Sequence, residues 1–173
     1  YRPMVELARV RGWPVVASNV PRRLASAVGR AGLAMLDTVN RGDRRYMAAE
    51  HSCPKDKYYT NFVAAMGGHG PGGASASSSM ADRFYEAQCV KDEAMAEALV
   101  AAWRAAPAGS IALHVDGAFH SDYGLGTAER ARRRAPNAKT VVLTAVPTKD
   151  LARPEIAAHA EKADYLLFTR APL

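Results

Sequence analysis

Two groups of residues in this 173-residue sequence could do chemistry. One is the loop Gly117-Ala118-Phe119-His120-Ser121-Asp122-Tyr123-Gly124-Leu125-Gly126, where an imidazole and a phenol lie three residues apart among glycines. Both side chains exchange protons, and imidazole is the commonest metal-ligating side chain. The other group is Gln88 and Asp92, one helical turn apart on an otherwise apolar helix face. Burying such groups without hydrogen bonds costs roughly 1–3 kcal/mol each, so they need partners. They either tie down backbone at the end of a sheet or face a pocket.

The remaining candidates are less specific. His114 sits inside an apolar run and suits a satisfied core or sheet-face position, whereas His51 and His69 lie on a polar insert where they could meet a ligand or stay solvated. Cys53-Pro54 is a dipeptide that can offer a thiolate to iron porphyrin, but two residues make a weak motif. Imidazole and phenolate, as at His120 and Tyr123, are also iron-porphyrin ligands. A dinucleotide fingerprint is excluded, because Glu129 stands where Gly124-Leu125-Gly126 would need its third glycine. No GxxxxGK[ST], HExxH or GxSxG motif occurs.

The elements that must position these groups follow from periodicity. Helices are expected over 3–11, with Pro3 in the first turn and Gly12 as its stop, and over 21–31, closed by Gly32. The longest is expected over 82–105, where Phe84, Gln88, Asp92, Met95, Leu99 and Ala102 share one face. Short apolar runs over 14–18, 111–116, 140–145 and 164–168 are expected strands. Shorter helices are expected around 58–66, over 127–134 with Thr127 as a cap, and within 154–162. This alternation predicts one α/β domain with three layers, a mainly parallel sheet and helices on both faces. Such a sheet binds ligands beyond the carboxyl ends of its strands, which would bring Asn19 and the loop of His120 together if their strands are neighbours. An insert over 37–81 interrupts the pattern, and its Gly/Ser-rich run 67–79 has the composition of a flexible loop.

Lys plus Arg number 23 and Asp plus Glu 17, so the net charge of +6 suits an anionic partner without choosing one. The densest basic run, Arg130 with Arg132, Arg133 and Arg134, has the pattern of a solvated helix face. Cys53 and Cys89 form no CxxC pair, which argues against structural zinc; they could be buried thiols or one disulfide of an exported protein.

Residues 1–33 and 84–145 resemble the ChaN-like haem-binding lipoproteins. The matching motifs are Tyr1-Arg2-Pro3, Ala17-Ser18-Asn19-Val20-Pro21-Arg22, Ala87-Gln88 with Asp92 and Met95-Ala96, Gly117-Ala118-Phe119-His120, and Gly124-Leu125-Gly126. The family's N-terminal strand and Gly-Glu-x-His motif have no counterpart here, so the sheet would be incomplete at its N-terminal side. The resemblance implies a haem-binding protein of extracytoplasmic iron uptake or storage rather than an enzyme. It implies a periplasmic or outer-surface location and attachment to a membrane through a segment beyond these residues. Haem is the implied partner, with a homodimer or larger membrane-associated complex, and nucleic acid is not among the partners. It points to His120 and Tyr123 as metal ligands, to Asn19, Gln88 and Asp92 around the cofactor, and to Arg22 for a propionate. As the family is exported, it also implies a Cys53–Cys89 disulfide. Two other readings follow: a metal-dependent hydrolase related to erythromycin esterases, with His120 as base or ligand, or an accessory structural subunit whose site is vestigial.

Overall fold

A computed structural model describes residues 1–67 and 78–171. In chain order the helices are α1 (Arg2–Arg11), α2 (Arg22–Ala31), α3 (Arg41–Arg44), α4 (Lys57–Gly67), α5 (Ser78–Ala105), α6 (Gly126–Arg134) and α7 (Ile156–His159). The strands are β1 (Leu143–Thr148) and β2 (Tyr165–Arg170).

Helix α5 is the axis of the molecule, about 42 Å long at 1.5 Å per residue. Against one side packs α2, whose Leu24, Ala25 and Val28 meet Ala87, Val90 and Ala94. Val28 and Val90 are fully buried, each contributing about 1.5–3 kcal/mol of hydrophobic stabilisation. The helices come close because Gly29 has no side chain: a Cβ there would already touch the Phe84 ring at 3.4 Å. On another side α6 packs through Ala131, with Ala135 just beyond it, against Ala96 and Val100. A third cluster joins Tyr58, Tyr85 and the two cysteines, with Phe62, Phe119 and Leu125 around them.

The protein thus mixes helix with a small parallel sheet. Strand β1 pairs with β2 from Leu143↔Tyr165 to Thr148↔Arg170. Thr144 and Val146 are buried, whereas Leu143, Tyr165 and Leu167 are exposed, so one sheet face is covered. The expected helices appear within a few residues, and the strands expected at 140–145 and 164–168 form at 143–148 and 165–170. The strands expected at 14–18 and 111–116 do not form among the described residues: neither segment has a ladder partner, and Ile111 is 94% exposed. Apolar runs adopt strand structure only with a neighbour to accept their backbone groups. Among the described residues the sheet has two strands rather than the four expected, and no three-layer sandwich is seen. The Gly/Ser-rich run lies, from residue 68 to 77, outside the described residues, and His69 lies there too.

Candidate functional site

The site is built where α5 passes under the start of α4, the loop 117–126 and the first turn of α6. Asp92 is its centre and has no solvent exposure. Its Oδ1 lies 2.6 Å from His120 Nδ1 and accepts from Thr127 Oγ1 at 2.9 Å, and its Oδ2 accepts from Tyr58 Oη at 2.7 Å. A carboxylate with three donors is well satisfied. Thr127 was expected to cap α6; Leu125 holds that position, and the threonine hydroxyl serves Asp92 instead.

An ionised carboxylate can only accept, so the 2.6 Å approach of Asp92 assigns the proton to Nδ1 and leaves the lone pair on Nε2. The Gln88 amide nitrogen donates to Tyr58 Oη at 3.1 Å and lies 2.9 and 3.5 Å from the two His120 ring nitrogens. The longer distance, to Nε2, is at the limit of a hydrogen bond, so that nitrogen is open to a stronger partner. Burial, reinforced by the Asp92 carboxylate, pushes the Tyr58 phenol far above its ordinary range, so this hydroxyl keeps its proton.

Two glycines let the parts meet. At Gly126, with φ of 56°, a Cβ would stand 2.5 Å from the His120 carbonyl oxygen and 3.0 Å from Tyr58 Oη. At Gly124, with φ of 66°, it would stand 2.6 Å from Arg132 Nη1, which donates to the Gly124 carbonyl.

Beside this network is an open cleft of about 700 Å³ between α2 and α5. Gln88 lines it together with Asn19, Arg22, Arg30, Lys91, Phe62 and Phe84. Among the described residues, Arg22, Arg30 and Lys91 have no ion-pair or hydrogen-bond partner through their side chains.

Asn19, Arg22 and Gln88 therefore share the cleft, and Gln88, Asp92 and His120 share the network. Tyr123 joins neither. Its residue is 41% exposed, its backbone is left-handed at φ 61°, and its N–H donates to the Lys162 carbonyl at 2.6 Å. The Lys57 ammonium lies 5.7 Å from its ring centroid. The loop was expected beyond the carboxyl ends of the strands. Its contacts instead reach their amino ends: Asp122 accepts from Thr144 Oγ1 at 2.7 Å, and Lys162 precedes β2.

Sequence reasoning missed Tyr58 and Thr127 as partners of Asp92, and it misjudged the arginines. Arg130 is 2% exposed, and Arg130, Arg133 and Arg134 converge on the buried Glu93 at 3.2, 2.6 and 2.5 Å. Burial opposes the charge on Glu93, but hydrogen bonds from Arg133 and Arg134 outweigh it and hold the carboxyl below its usual range. The signal was present as a spacing: Arg130, Arg133 and Arg134 at i, i+3 and i+4 share one helix face.

Cys53 and Cys89 form a disulfide, as the resemblance implied, which removes Cys53 as a thiolate ligand. Among the described residues no three His, Cys, Asp or Glu side chains cluster to hold a bare metal ion, and no helix is long and apolar enough to cross a membrane. No curated protein and no solved structure matches the chain. One family does, over residues 1–131, the stretch that carries the cleft and every member of the Asp92 network, while Arg133 and Arg134, the outer partners of Glu93, lie beyond it. By that match the chain belongs to the family described as haem-binding uptake, Tiki superfamily, ChaN.

Proposed function

We propose that this chain binds haem, with His120 Nε2 as an iron ligand and the cleft between α2 and α5 taking part of the porphyrin. The observation that carries this reading is the fully buried Asp92 holding His120 Nδ1 at 2.6 Å. Metal-ligating histidines almost always donate their other ring N–H to a carboxylate, a carbonyl or water, which fixes the tautomer and raises the basicity of the ligating nitrogen. The cleft suits the rest of an iron porphyrin. Phe62 and Phe84 supply apolar ring surface, and Arg22, Arg30 and Lys91 supply cations for propionates, with Arg able to donate in bidentate fashion. The bound group would supply iron for storage or transfer, and these residues bind and orient it. The disulfide and the family's role in uptake support an extracytoplasmic, periplasmic or outer-surface location.

The test is titration of the purified protein with haemin, followed by the Soret band. His120→Ala should shift the band and weaken binding at least tenfold. Tyr123→Phe tests the second ligand candidate, and Arg22→Ala should weaken binding less without moving the band. Unchanged band and affinity in both the His120 and Tyr123 variants would place haem elsewhere or nowhere.

A further inference from the structure

We infer that Tyr58 is a positioning residue for His120 and that the Cys53–Cys89 disulfide sets Tyr58 in place, so the state of that bond controls the ligand site. The inference rests on the reading of His120 as a ligand only where haem is the readout.

Residues 49–55 run along α5 in the opposite direction to it. The Ala49 N–H donates to Glu97 at 3.1 Å and the Ser52 N–H to Glu93 at 3.2 Å. Cys53 is bonded to Cys89, the Pro54 carbonyl accepts from Tyr85 Oη at 2.8 Å, and Lys55 pairs with Asp82 at 2.8 Å. The partners on α5 thus step down from 97 through 93, 89 and 85 to 82, one turn at a time. At Asp56 the chain turns, its carboxylate accepting from the N–H groups of Tyr58 and Tyr59 at 2.8 and 3.2 Å. The Tyr58 side chain then returns over α5 to Asp92, three residues from Cys89. Its ring stacks on Phe119 at 5.2 Å, next to His120, and meets Tyr85 edge-on at 5.8 Å.

The ties at Ala49 and Lys55 are exposed and hold weakly, whereas Ser52 is held through its N–H by Glu93 and through its carbonyl by Arg130 at 3.1 Å, so the disulfide governs the stretch that follows Ser52. The disulfide is the one covalent tie, and it sits five residues before Tyr58. Reduction by a dithiol such as dithiothreitol transfers two electrons and two protons. The S–S bond breaks, two cysteine thiols form, and the reagent leaves as its cyclic disulfide. The stretch from Cys53 to Tyr58 can then shift on α5, Tyr58 Oη leaves Asp92 Oδ2, and the carboxylate is free to turn away from His120.

The experiment reads the 15N signals of the His120 ring in the ligand-free protein before and after dithiothreitol, and haemin affinity in the Cys53→Ser/Cys89→Ser protein. Reduction should change the tautomer signature of His120 from one form to a mixture, and the double serine variant should bind haemin several-fold more weakly. Tyr58→Phe should produce both effects with the disulfide intact, and adding the serine pair to it should change little more. The ring signals test the coupling even if haem binds elsewhere. Unchanged His120 signals after complete reduction, confirmed by thiol titration, would overturn the inference. So would equal effects of the serine pair with and without Tyr58. Global unfolding on reduction, seen by far-UV circular dichroism, would also overturn it, since the bond would then be a staple of the whole fold.

Discussion

Asp92 and Glu93 are consecutive on α5, and both are fully buried, yet they meet opposite surroundings. Glu93 is met by three arginines, and its Oε1 also accepts from the Ser52 N–H. Asp92 receives two hydroxyls and an imidazole, and among the described residues His120 is its only ionic partner. A carboxylate neutralised by fixed guanidinium groups is a clamp. One held by neutral donors keeps its charge directed at the single imidazole it orients, which is the arrangement of a metal-ligating histidine.

If this division is right, the Glu93 side should matter most for stability. Glu93→Gln leaves the buried Arg130 without its counter-charge and should cost about 3–5 kcal/mol, the range for breaking a buried ion pair from one side. Equilibrium urea unfolding measures it. Asp92→Asn should cost less, about 1–3 kcal/mol, because what it removes is hydrogen bonding to a charged group. It should nevertheless weaken haemin binding by about 10–100-fold. Equal losses of stability in the two variants would erase the distinction.

What the sequence shows of this arrangement is uneven, for physical reasons. Gln88 and Asp92 are visible because polar residues on an apolar helix face demand partners, and His120 because a glycine-punctuated loop after an apolar run invites a ligand. Tyr58 and Thr127 are not visible, since their meeting with Asp92 depends on how three elements pack, and local periodicity carries no such information. The arginines of α6 mislead for the opposite reason: a basic face suits solvent equally well until Glu93 is known to lie beneath it. The same limit explains the sheet. Residues 14–18 and 111–116 have strand composition, but a strand is a property of a pair.

Glycine substitutions sharpen the comparison on the Asp92 side. Gly126→Ala combines a left-handed backbone with a methyl group 2.5 Å from the His120 carbonyl oxygen and 3.0 Å from Tyr58 Oη. Strain and overpacking together should cost about 2–3 kcal/mol and disturb the His120 loop. Gly12→Ala has a similar φ of 66° with nothing within 4 Å, so it should cost only about 1 kcal/mol. Thermal or urea midpoints of the two variants, together with haemin affinity, separate the contributions. Equal losses would show that the close approach at Gly126 carries no weight.

The smallest effect belongs to His51, on the Glu93 side. Both of its ring nitrogens are buried without a hydrogen-bond partner. Burial lowers its pKa from the ordinary value of 6.5, with Glu93 opposing and Arg44 assisting. The unfolded chain therefore takes up a proton near 6.5 while the folded protein resists until a lower pH. In that window the unfolded state binds more protons, so stability falls as the pH drops below about 6.5 and stops falling once the folded pKa is passed. The slope from one group cannot exceed about 1.4 kcal/mol per pH unit, and a partly solvated ring gives less. Glu93 acts in a separate window: its depressed pKa gives stability that is complete above its ordinary value of 4.5 and is lost as the pH falls through the lower folded value. Urea unfolding of the wild type and His51→Gln at pH 7, 6 and 5 should show a shallow loss in the wild type that the variant lacks. Parallel curves for the two proteins down to pH 5 would mean that His51 gains its proton as easily in the folded state as in the unfolded one.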